Sequence, residues 1–314
     1  MFTAIVTTAV LLLIIVVAAS VIMFRTAFVR DSEKNKFVMK HGADKEWDKL
    51  RKSINEATET LKAFPHEMIY TTSKDGLKLA GYYFPCEDAV RTVICAHGFK
   101  STGFWDFSAF AIFMIKNSFN VLLICERACS ASEGKYIGYG ITERYDILSW
   151  VQRINEVNGA DEDIVLAGIS MGCSTVLMAS GLKLPENVKA IIADCGYTRP
   201  CDILKNALKK TFHLPPFPIY NIAKLFLRLS AKINIEEYST LDALKTNKIP
   251  VFFVHGGSDA FVPKEMTLNN YEAAVCEKEI FIAEGADHGQ SFIKAQNEYI
   301  ARMSAFLNKA GITL

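Results

Sequence analysis

The sequence has almost no net charge and lacks the cysteine patterns of metal and redox sites. Its 35 Lys and Arg residues are balanced by 34 Asp and Glu residues, for a formal net charge of +1. This balance gives no electrostatic reason to expect a nucleic-acid partner. The eight cysteines are scattered and include no pair of CxxC units, which argues against a zinc site or a dithiol redox centre. We therefore expect buried, reduced thiols and a reducing compartment rather than a disulfide framework.

The chain also lacks internal repeats and low-complexity segments. Half of its 314 residues are apolar and 22% are charged, a composition typical of globular proteins. Folds that alternate helices and strands often reach this length as one domain. We expect one main domain with appendages.

The N-terminus is a long apolar stretch. No charged side chain occurs from Phe2 to Phe24. As a helix, this stretch would be roughly 35 Å long, enough to cross a hydrocarbon core of about 30 Å. The small residues Ala18, Ala19 and Ser20 keep a cleaved signal peptide as an alternative. Because a basic opening segment is missing and the apolar stretch is long, we predict a transmembrane anchor over residues 1–25.

Several basic side chains follow this stretch, whereas the only positive charge before it is the amino terminus. Positive charge on one side of a span favours the cytoplasmic side. We therefore predict a single-pass membrane protein with a cytoplasmic body and the lipid bilayer as a partner of the N-terminal helix. The basic residues concerned are Arg25, Arg30, Lys34, Lys36 and Lys40.

Residues 26–65 form a highly charged juxtamembrane linker. A helix is predicted over residues 31–64, because apolar residues recur there at spacings of three and four. We expect this apolar stripe to pack on the body, since about two and a half heptads are few for a dimerising coiled coil. The stripe consists of Trp47, Leu50, Ile54, Ala57, Leu61 and Phe64.

Short strands alternate with helices over residues 66–314. A β-hairpin is predicted at the start, with Asp75 and Gly76 at its turn. The later strands are near-continuous apolar runs, as expected when helices cover both faces of a largely parallel sheet. Ligands of such sheets bind beyond the carboxyl ends of the strands. The predicted strands are 68–72, 77–84, 92–96, 121–125, 164–169, 188–193, 251–255 and 279–283, and the predicted helices are 105–117, 141–157, 171–182, 264–276 and 290–309.

A GxSxG sequence from Gly168 to Gly172 lies between a predicted strand and a predicted helix. This is the setting of a nucleophile elbow, a strained turn that lifts a serine above the sheet and needs small flanking residues. The alternative is a glycine-rich strand end with an ordinary surface serine. The strand before and the helix after the motif favour Ser170 as a nucleophile.

A nucleophilic serine needs a base that takes its proton and an acid that orients the base. Among the six histidines, His288 follows the serine in the chain and lies in a glycine-flanked loop after the last strand. Asp259, just beyond the strand 251–255, is the predicted acid. Asp194, at the end of the neighbouring strand, is the rival acid. With either acid, the candidates occur along the chain in the order serine, acid, histidine.

These motifs resemble the α/β-hydrolase superfamily from about residue 68 to the C-terminus. The strings HGxxDxxVP and GxDHG carry the resemblance, with a group of membrane-anchored or secreted bacterial hydrolases and serine aminopeptidase-like domains as the nearest match. The resemblance implies an α/β fold and a catalytic triad of Ser170, Asp259 and His288. It also implies an oxyanion hole from the backbone N–H groups of Met171 and Phe99, and it implies no metal or organic cofactor.

Two further segments stand out in this comparison. The loop 127–134 lacks a histidine and a glycine that relatives carry, and its Cys129 is expected to be a buried thiol rather than a reactive one. The insertion at about 198–246 is predicted to be a helical cap over the site. The cap either shapes an apolar substrate site or covers its own core. Its basic residues form a solvated face or lie against anionic lipid: Lys205, Lys209, Lys210, Lys224, Arg228 and Lys232.

The predicted reaction is hydrolysis of a carboxylic ester of an apolar or acyl small molecule, through an acyl-enzyme at Ser170. The same three residues would also serve a peptidase, a thioesterase or an acyltransferase, because the first chemical half is shared. A non-catalytic binding protein on a hydrolase scaffold is an alternative of a different class. The sequence leaves the oligomeric state open.

Overall fold

The computed structural model describes residues 1–31 and 45–313, without the side chains of residues 45–47. Its centre is an eight-stranded sheet with the order β1-β2-β4-β3-β5-β6-β7-β8. β1 and β2 form the predicted hairpin, and β2 pairs with β4 in antiparallel fashion. All other neighbouring strands are parallel. The strands are β1 Glu67–Thr72, β2 Lys78–Phe84, β3 Arg91–Ala96, β4 Asn120–Ile124, β5 Asp163–Ile169, β6 Val188–Asp194, β7 Val251–Gly256 and β8 Lys278–Ala283.

Helices cover both faces of the sheet, as predicted. Alternate side chains of one strand enter two different apolar clusters: in β3, Val93 and Cys95 face one cluster, and Ile94 and Ala96 face the other. Full burial of a valine or isoleucine side chain such as Val93 or Ile94 contributes about 1.5–3 kcal/mol to folding. The helices are α1 Phe2–Met23, α2 Lys45–Lys62, α3 Gly103–Lys116, α4 Glu143–Asn158, α5 Met171–Ala179, α6 Pro200–Lys210, α7 Pro216–Ala231, α8 Thr240–Leu244, α9 Lys264–Ala273, α10 Ser291–Lys294 and α11 Gln296–Lys309.

The N-terminal helix stands out from the body. Phe2–Phe28 is long and apolar enough to cross a membrane, with a mean hydropathy of 3.0 in its most apolar window. The first 15 residues are exposed, whereas Ser20 and Met23 are buried on one side of α1. A π-helical turn over Phe24–Phe28 continues the helix. A signal sequence meets the same criteria of length and composition, so the structure is compatible with both predictions for this segment.

The end of this helix is attached to the body through the backbone. The carbonyl of Phe28 accepts a hydrogen bond from Ile137 N–H at 2.9 Å, and Arg30 N–H donates to the carbonyl of Lys135 at 2.9 Å. An isolated β-bridge joins Val29 to the strand-like segment between these two partners. The chain is therefore extended where Val29 follows the π-helical turn, because pairing with the body replaces helical hydrogen bonds.

Within the described residues, the predicted linker helix is present as α2, over Lys45–Lys62. Residues 32–44 and the side chain of Trp47 lie outside the described residues. Leu50, Ile54 and Leu61 are buried, and α2 packs on α3. The predicted packing of this stripe on the body is confirmed for these residues.

The insertion between β6 and β7 is helical, as predicted, and comprises α6, α7 and α8. The helix predicted over 290–309 is in fact two helices. Ala295 adopts φ −120° and ψ 39°, which ends α10, and α11 begins at the next residue. α10, which follows the loop of His288, contacts β7 and β8, and α11 contacts β8.

Candidate active site

The turn between β5 and α5 has the geometry of a nucleophile elbow. Ser170 adopts φ 56° and ψ −114°, a conformation that side-chain-bearing residues rarely occupy. A Cβ on Gly172 would lie 1.9 Å from the carbonyl oxygen of Ala96, and one on Gly168 would lie 2.4 Å from the carbonyl oxygen of Gly172. No side chain fits at either position. The backbone N–H of Ser170 donates to the carbonyl of Asp194 at 2.9 Å, which ties the turn to β6.

His288 lies next to this serine. Its Nε2 is 2.9 Å from Ser170 Oγ, and its Nδ1 is 2.7 Å from Asp259 Oδ2. The ionised carboxylate accepts a hydrogen bond from Nδ1–H, which leaves Nε2 as the acceptor for the serine hydroxyl. The flanking Gly285 and Gly289 have φ of +72° and +68°, values that let the loop turn sharply after β8. The structure therefore brings together the three side chains that the sequence singled out.

Asp259 is held by the loop that follows β7. Its Oδ1 accepts hydrogen bonds from the backbone N–H groups of Phe261 and Val262, at 2.9 and 2.8 Å. Its Oδ2 also lies 3.2 Å from Nε2 of His255. Burial opposes ionisation, but the hydrogen bonds from the two histidines outweigh it and hold the pKa of Asp259 well below its ordinary value. The carboxylate is therefore ionised throughout the neutral range.

The charge of Asp259 acts in turn on His288. Burial lowers the pKa of His288, but the hydrogen bond and the negative charge of Asp259 outweigh burial, and the pKa of the imidazole is raised. This side chain is 11% exposed, and the Asp259 side chain is fully buried. The imidazole is thus a stronger base than a free histidine.

Asp194, the rival acid, is directed elsewhere. Its Oδ1 accepts a hydrogen bond from the hydroxyl of Ser291 at 3.1 Å. Burial raises the pKa of Asp194 to about 6, although His255 and Ser291 counteract the effect. The described hydrogen bonds of His288 do not include Asp194. The geometry therefore favours Asp259 as the partner of the imidazole.

The loop after β3 approaches the serine closely. A Cβ on Gly98 would lie 3.4 Å from Cβ of Ser170. The next residue is Phe99, one of the two predicted oxyanion donors, and the other donor, Met171, is the first residue of α5. Within the described residues, the backbone N–H of Phe99 and that of Met171 have no hydrogen-bond acceptor. Both donors are therefore available to a ligand.

Two side chains fix this loop. Nδ1 of His97 lies 2.8 Å from the carbonyl oxygen of Gly98, and its Nε2 accepts from Glu126 N–H at 3.1 Å. An acceptor role for Nε2 requires a neutral ring, in agreement with the lowered pKa that burial gives His97. Asp106 on α3 accepts hydrogen bonds from Gly98 N–H at 2.7 Å and from the hydroxyl of Ser101 at 2.6 Å. His97 thus positions this loop and is not placed to act as a second base.

The loop 127–134 is ordered despite its departure from the family pattern. Arg127 donates to Asp146 at 2.6 Å and to Asp75 at 2.9 Å. Ser130, at the position where relatives carry glycine, has a positive φ of 46°. Cys129 is buried, and burial together with the charge of nearby carboxylates raises its pKa to about 12. A thiol with such a pKa is not a reactive nucleophile at neutral pH, as predicted.

One group of side chains near the site has the composition of a metal site. Ligand atoms of Cys195, Asp259 and His288 lie within 4.8 Å of one another. Burial raises the pKa of the Cys195 thiol well above its ordinary value, so the sulfur stays protonated and is a poor ligand. The other two donors are already engaged with each other. The arrangement therefore fits a hydrogen-bonded pair better than a metal site.

Aromatic and other apolar side chains lie near Ser170 and His288. The ring of Phe261 packs edge-on against the imidazole of His288, with 5.1 Å between centroids. Phe99 stacks on Tyr139 at 5.2 Å. Met171 is buried in an apolar cluster that also includes residues of the cap and of the N-terminal helix. Another cavity, between α2 and α3, is lined by none of the catalytic candidates.

Sequence reasoning missed two contacts of this site and one buried acid beside it. His255 was assigned no role, yet its ring touches Asp259; Asp106 was not considered, yet it holds Gly98. The sequence contained a signal for His255, because this residue ends a predicted strand four positions before Asp259. Glu126 was also missed: it is buried, with neither carboxylate oxygen hydrogen-bonded to a described residue, and burial raises its pKa well above the ordinary value.

Comparison with known sequences identifies relatives of similar length. The chain is 28% identical over 233 residues to the uncharacterised protein YqkD of Bacillus subtilis, covering 74% of this chain and 76% of that protein. It is 28% identical over 263 residues to the uncharacterised protein YfhR of Salmonella typhimurium, covering 78% and 82%. No family model matches the chain.

Solved structures similar to this chain include hydrolases. An esterase of Pyrococcus furiosus has a TM-score of 0.65 and 23% identity, with coverage of 80% of this chain and 93% of that one. The α/β-hydrolase GrgF of Penicillium has a TM-score of 0.62 and 19% identity, covering 79% and 99%. An acylaminoacyl peptidase of Pyrococcus horikoshii has a TM-score of 0.57 and 19% identity, covering 81% and 42%. The chain therefore has the α/β-hydrolase fold, preceded by an N-terminal apolar helix.

Proposed function

We propose that the protein is a serine hydrolase that cleaves carboxylic esters through an acyl-enzyme. The observation that carries the proposal is the continuous hydrogen-bond chain from Ser170 Oγ through His288 to Asp259, at 2.9 and 2.7 Å. Nucleophile, base and orienting acid have this mutual geometry in serine hydrolases of unrelated folds. The strained conformation of Ser170 is further support, because such strain is typical of functional positions.

In the first half of the reaction, His288 Nε2 takes the hydroxyl proton while Ser170 Oγ attacks the ester carbonyl carbon. The N–H groups of Phe99 and Met171 stabilise the oxyanion, each by on the order of 3 kcal/mol. The C–O bond to the alcohol then breaks, and the imidazolium returns its proton to the leaving oxygen. Asp259 keeps the imidazole in the required tautomer and stabilises its charged form.

In the second half, water takes the place of the alcohol. His288 accepts a proton from the water as its oxygen attacks the acyl carbon. The tetrahedral intermediate collapses, the bond to Ser170 Oγ breaks, and the serine regains its proton from the imidazolium. The products are a carboxylic acid and the free protein, and no further reactant is consumed.

An ester of an apolar or acyl small molecule is the proposed substrate. Two features support this class: the aromatic surroundings of the imidazole and the esterases among the similar structures. Peptide hydrolysis is the second candidate, because an acylaminoacyl peptidase is also among those structures. Both reactions use the same first step, so they are distinguished by substrate and not by the catalytic group.

We also propose that α1 anchors the protein as a single-pass span with the body in the cytoplasm. The exposed apolar surface of residues 2–15 supports a lipid environment, and the basic Arg25 and Arg30 follow the apolar stretch. The amino terminus would then lie on the opposite side of the membrane.

The test of the proposed reaction is covalent labelling of the full chain with a fluorophosphonate probe. We expect labelling of the parent protein and of Ser258→Ala, an exposed serine near the site that serves as the matched control. We expect no labelling of Ser170→Ala. Equal labelling of Ser170→Ala and the parent would refute the proposal. Rates on p-nitrophenyl esters of graded chain length, compared with rates on aminoacyl amides, then separate esterase from peptidase activity.

A further inference from the structure

The outer surface of the cap exposes several large apolar side chains. Phe217 is 75% exposed and Leu229 is 71% exposed. A surface Leu or Phe on its own is ordinary, but contiguous groups mark interaction sites. Here the residues belong to one helix and the turn before it, and we refer to them as the cap face. The cap face consists of Phe212, Leu214, Phe217, Leu225 and Leu229.

Helix α7 is apolar on two sides. Ile219, Ala223 and Leu227, spaced by four residues, are buried and pack the helix onto the body. Leu225 and Leu229, also spaced by four, lie on another side and are exposed. A surface helix of a protein surrounded by water normally carries polar residues on its outer side. The outer side of α7 is therefore suited to an apolar environment.

Positive charge is concentrated in the same segment. Residues 200–232 contain six basic residues and one acidic residue, a net charge of +5, whereas the whole chain has a net charge of +1. Lys224 is paired with Glu236. Four other cations are exposed and have no salt-bridge partner among the described residues: Lys209, Lys210, Arg228 and Lys232.

The cap helix lies beside the N-terminal helix. α7 packs against α1 and against the π-helical turn, and the rings of Phe24 and Phe226 meet edge-on with 5.9 Å between centroids. The partly or fully buried positions of α1 begin at Val16. From Val16 to Met23 the helix rises about 10 Å. If α1 crosses the bilayer, α7 is held at the depth where headgroups meet acyl chains.

We propose that the cap face rests in the anionic interface of the same bilayer that α1 crosses. The apolar side chains enter the boundary between headgroups and acyl chains, and the four unpaired cations contact anionic headgroups. A basic helix with an apolar outer side, placed at the end of a membrane span, has the properties of interfacial helices. The inference rests on the proposed anchor and is independent of the proposed reaction.

The test places single tryptophans in the full chain reconstituted into vesicles of phosphatidylcholine and phosphatidylglycerol. Leu229→Trp and Phe217→Trp report on the cap face. Val90→Trp is the matched control. Val90 is 62% exposed, but it precedes β3 and therefore lies at the amino-terminal ends of the parallel strands, away from the cap. The fluorescence of the unsubstituted chain, which contains three tryptophans, is subtracted. Quenching by brominated acyl chains then measures contact with the lipid interior.

We expect brominated lipid to remove about half of the added fluorescence at positions 229 and 217 and almost none at position 90. We also expect stronger quenching with phosphatidylglycerol than in pure phosphatidylcholine. Arg228→Gln combined with Lys232→Gln should reduce that difference by about half, because two of the four unpaired cations remain. This last result would assign part of the lipid preference to Arg228 and Lys232, which lie on the same helix as Leu225 and Leu229.

Two results would overturn the proposal. In the first, the protein floats with the vesicles, but positions 229 and 217 are quenched no more than position 90. In the second, quenching at these positions decreases as the ratio of protein to lipid rises, which indicates that a second copy of the chain covers the cap face. Failure of the protein to float with vesicles would instead refute the anchor, and a lack of labelling at Ser170 would refute the reaction alone.

Discussion

Replacing Asp259 by asparagine separates the charge of the acid from its position. Asparagine keeps the Oδ1 acceptor for the N–H groups of Phe261 and Val262, so we expect the loop to keep its shape. The atom that faces His288 Nδ1 then becomes an amide NH2 donor. His288 has to present an acceptor at Nδ1, which moves its proton to Nε2, and Nε2–H cannot accept the proton of Ser170.

The size of the loss follows from this change of tautomer. The bond between Nδ1 and Asp259 is 2.7 Å long, and the carboxylate is buried, so solvent screens the interaction little. Loss of the corresponding acid in a serine protease lowers the rate by about 10⁴-fold, or roughly 5.5 kcal/mol in the activation free energy. We expect a loss of this order in kcat with a small change in KM. The pKa of His288 should also fall, since the charge that raises it is gone.

The assay is hydrolysis of a short p-nitrophenyl ester by the parent, Asp259→Asn and Asp194→Asn, each measured across the pH range. Asp194→Asn is the matched control, because Asp194 is equally buried but hydrogen-bonds to Ser291 instead of the imidazole. We expect it to retain activity within about threefold of the parent, since the direct contact remains. A larger loss in Asp194→Asn than in Asp259→Asn would show that the acid is misassigned.

Three further results are expected. The rate of the parent should fall with acidity around a midpoint above about pH 6.5, because the base must be neutral and the pKa of His288 is raised; a flat profile from about pH 5 to 8 would contradict this role. Asp106→Ala should lower kcat by about 10- to 100-fold with little change in KM, because the loop that carries the Phe99 amide loses its carboxylate acceptor. An unchanged kcat would show that the loop is held without it. Gly172→Ala should lower the free energy of unfolding by about 3 kcal/mol or more, because the added Cβ collides with the backbone. Gly76→Ala is the control: its Cβ would meet no atom within 4 Å, so the variant should lose only about 1–2 kcal/mol through backbone strain. Chemical denaturation of both variants measures the difference, and equal losses would refute the steric argument.

The strands could be predicted within one or two residues because each is a short apolar run bounded by turn residues. β5, predicted over 164–169, begins one residue earlier. The convergence of Ser170, Asp259 and His288 was also predictable, since all three follow the carboxyl ends of parallel strands, which meet at one edge of the sheet.

Contacts between elements distant in sequence could not be predicted in the same way. Asp106 lies on the first turn of α3, where an acidic residue is explained by the helix dipole alone, and its bond to Gly98 depends on how α3 docks. The break between α10 and α11 at Ala295 could not be predicted from the local sequence either, because alanine is the strongest helix former. Residues 29–31 are extended because they pair with the segment around Tyr136, a partner more than a hundred positions away.

The pairing of residues 28–31 with the body has a practical consequence for the design of soluble versions of the protein. Phe28 is fully buried among residues of the cap, and Arg30 donates hydrogen bonds to the carbonyls of Ser130 and Ser132, both at 2.6 Å. A truncated chain that starts at residue 32 lacks the apolar helix and also lacks Phe28 and Arg30. The empty space left by such a phenylalanine costs about 3–5 kcal/mol, enough to unfold many domains. A shortened chain should therefore begin upstream of Phe28, with its remaining apolar turn made polar on the outside.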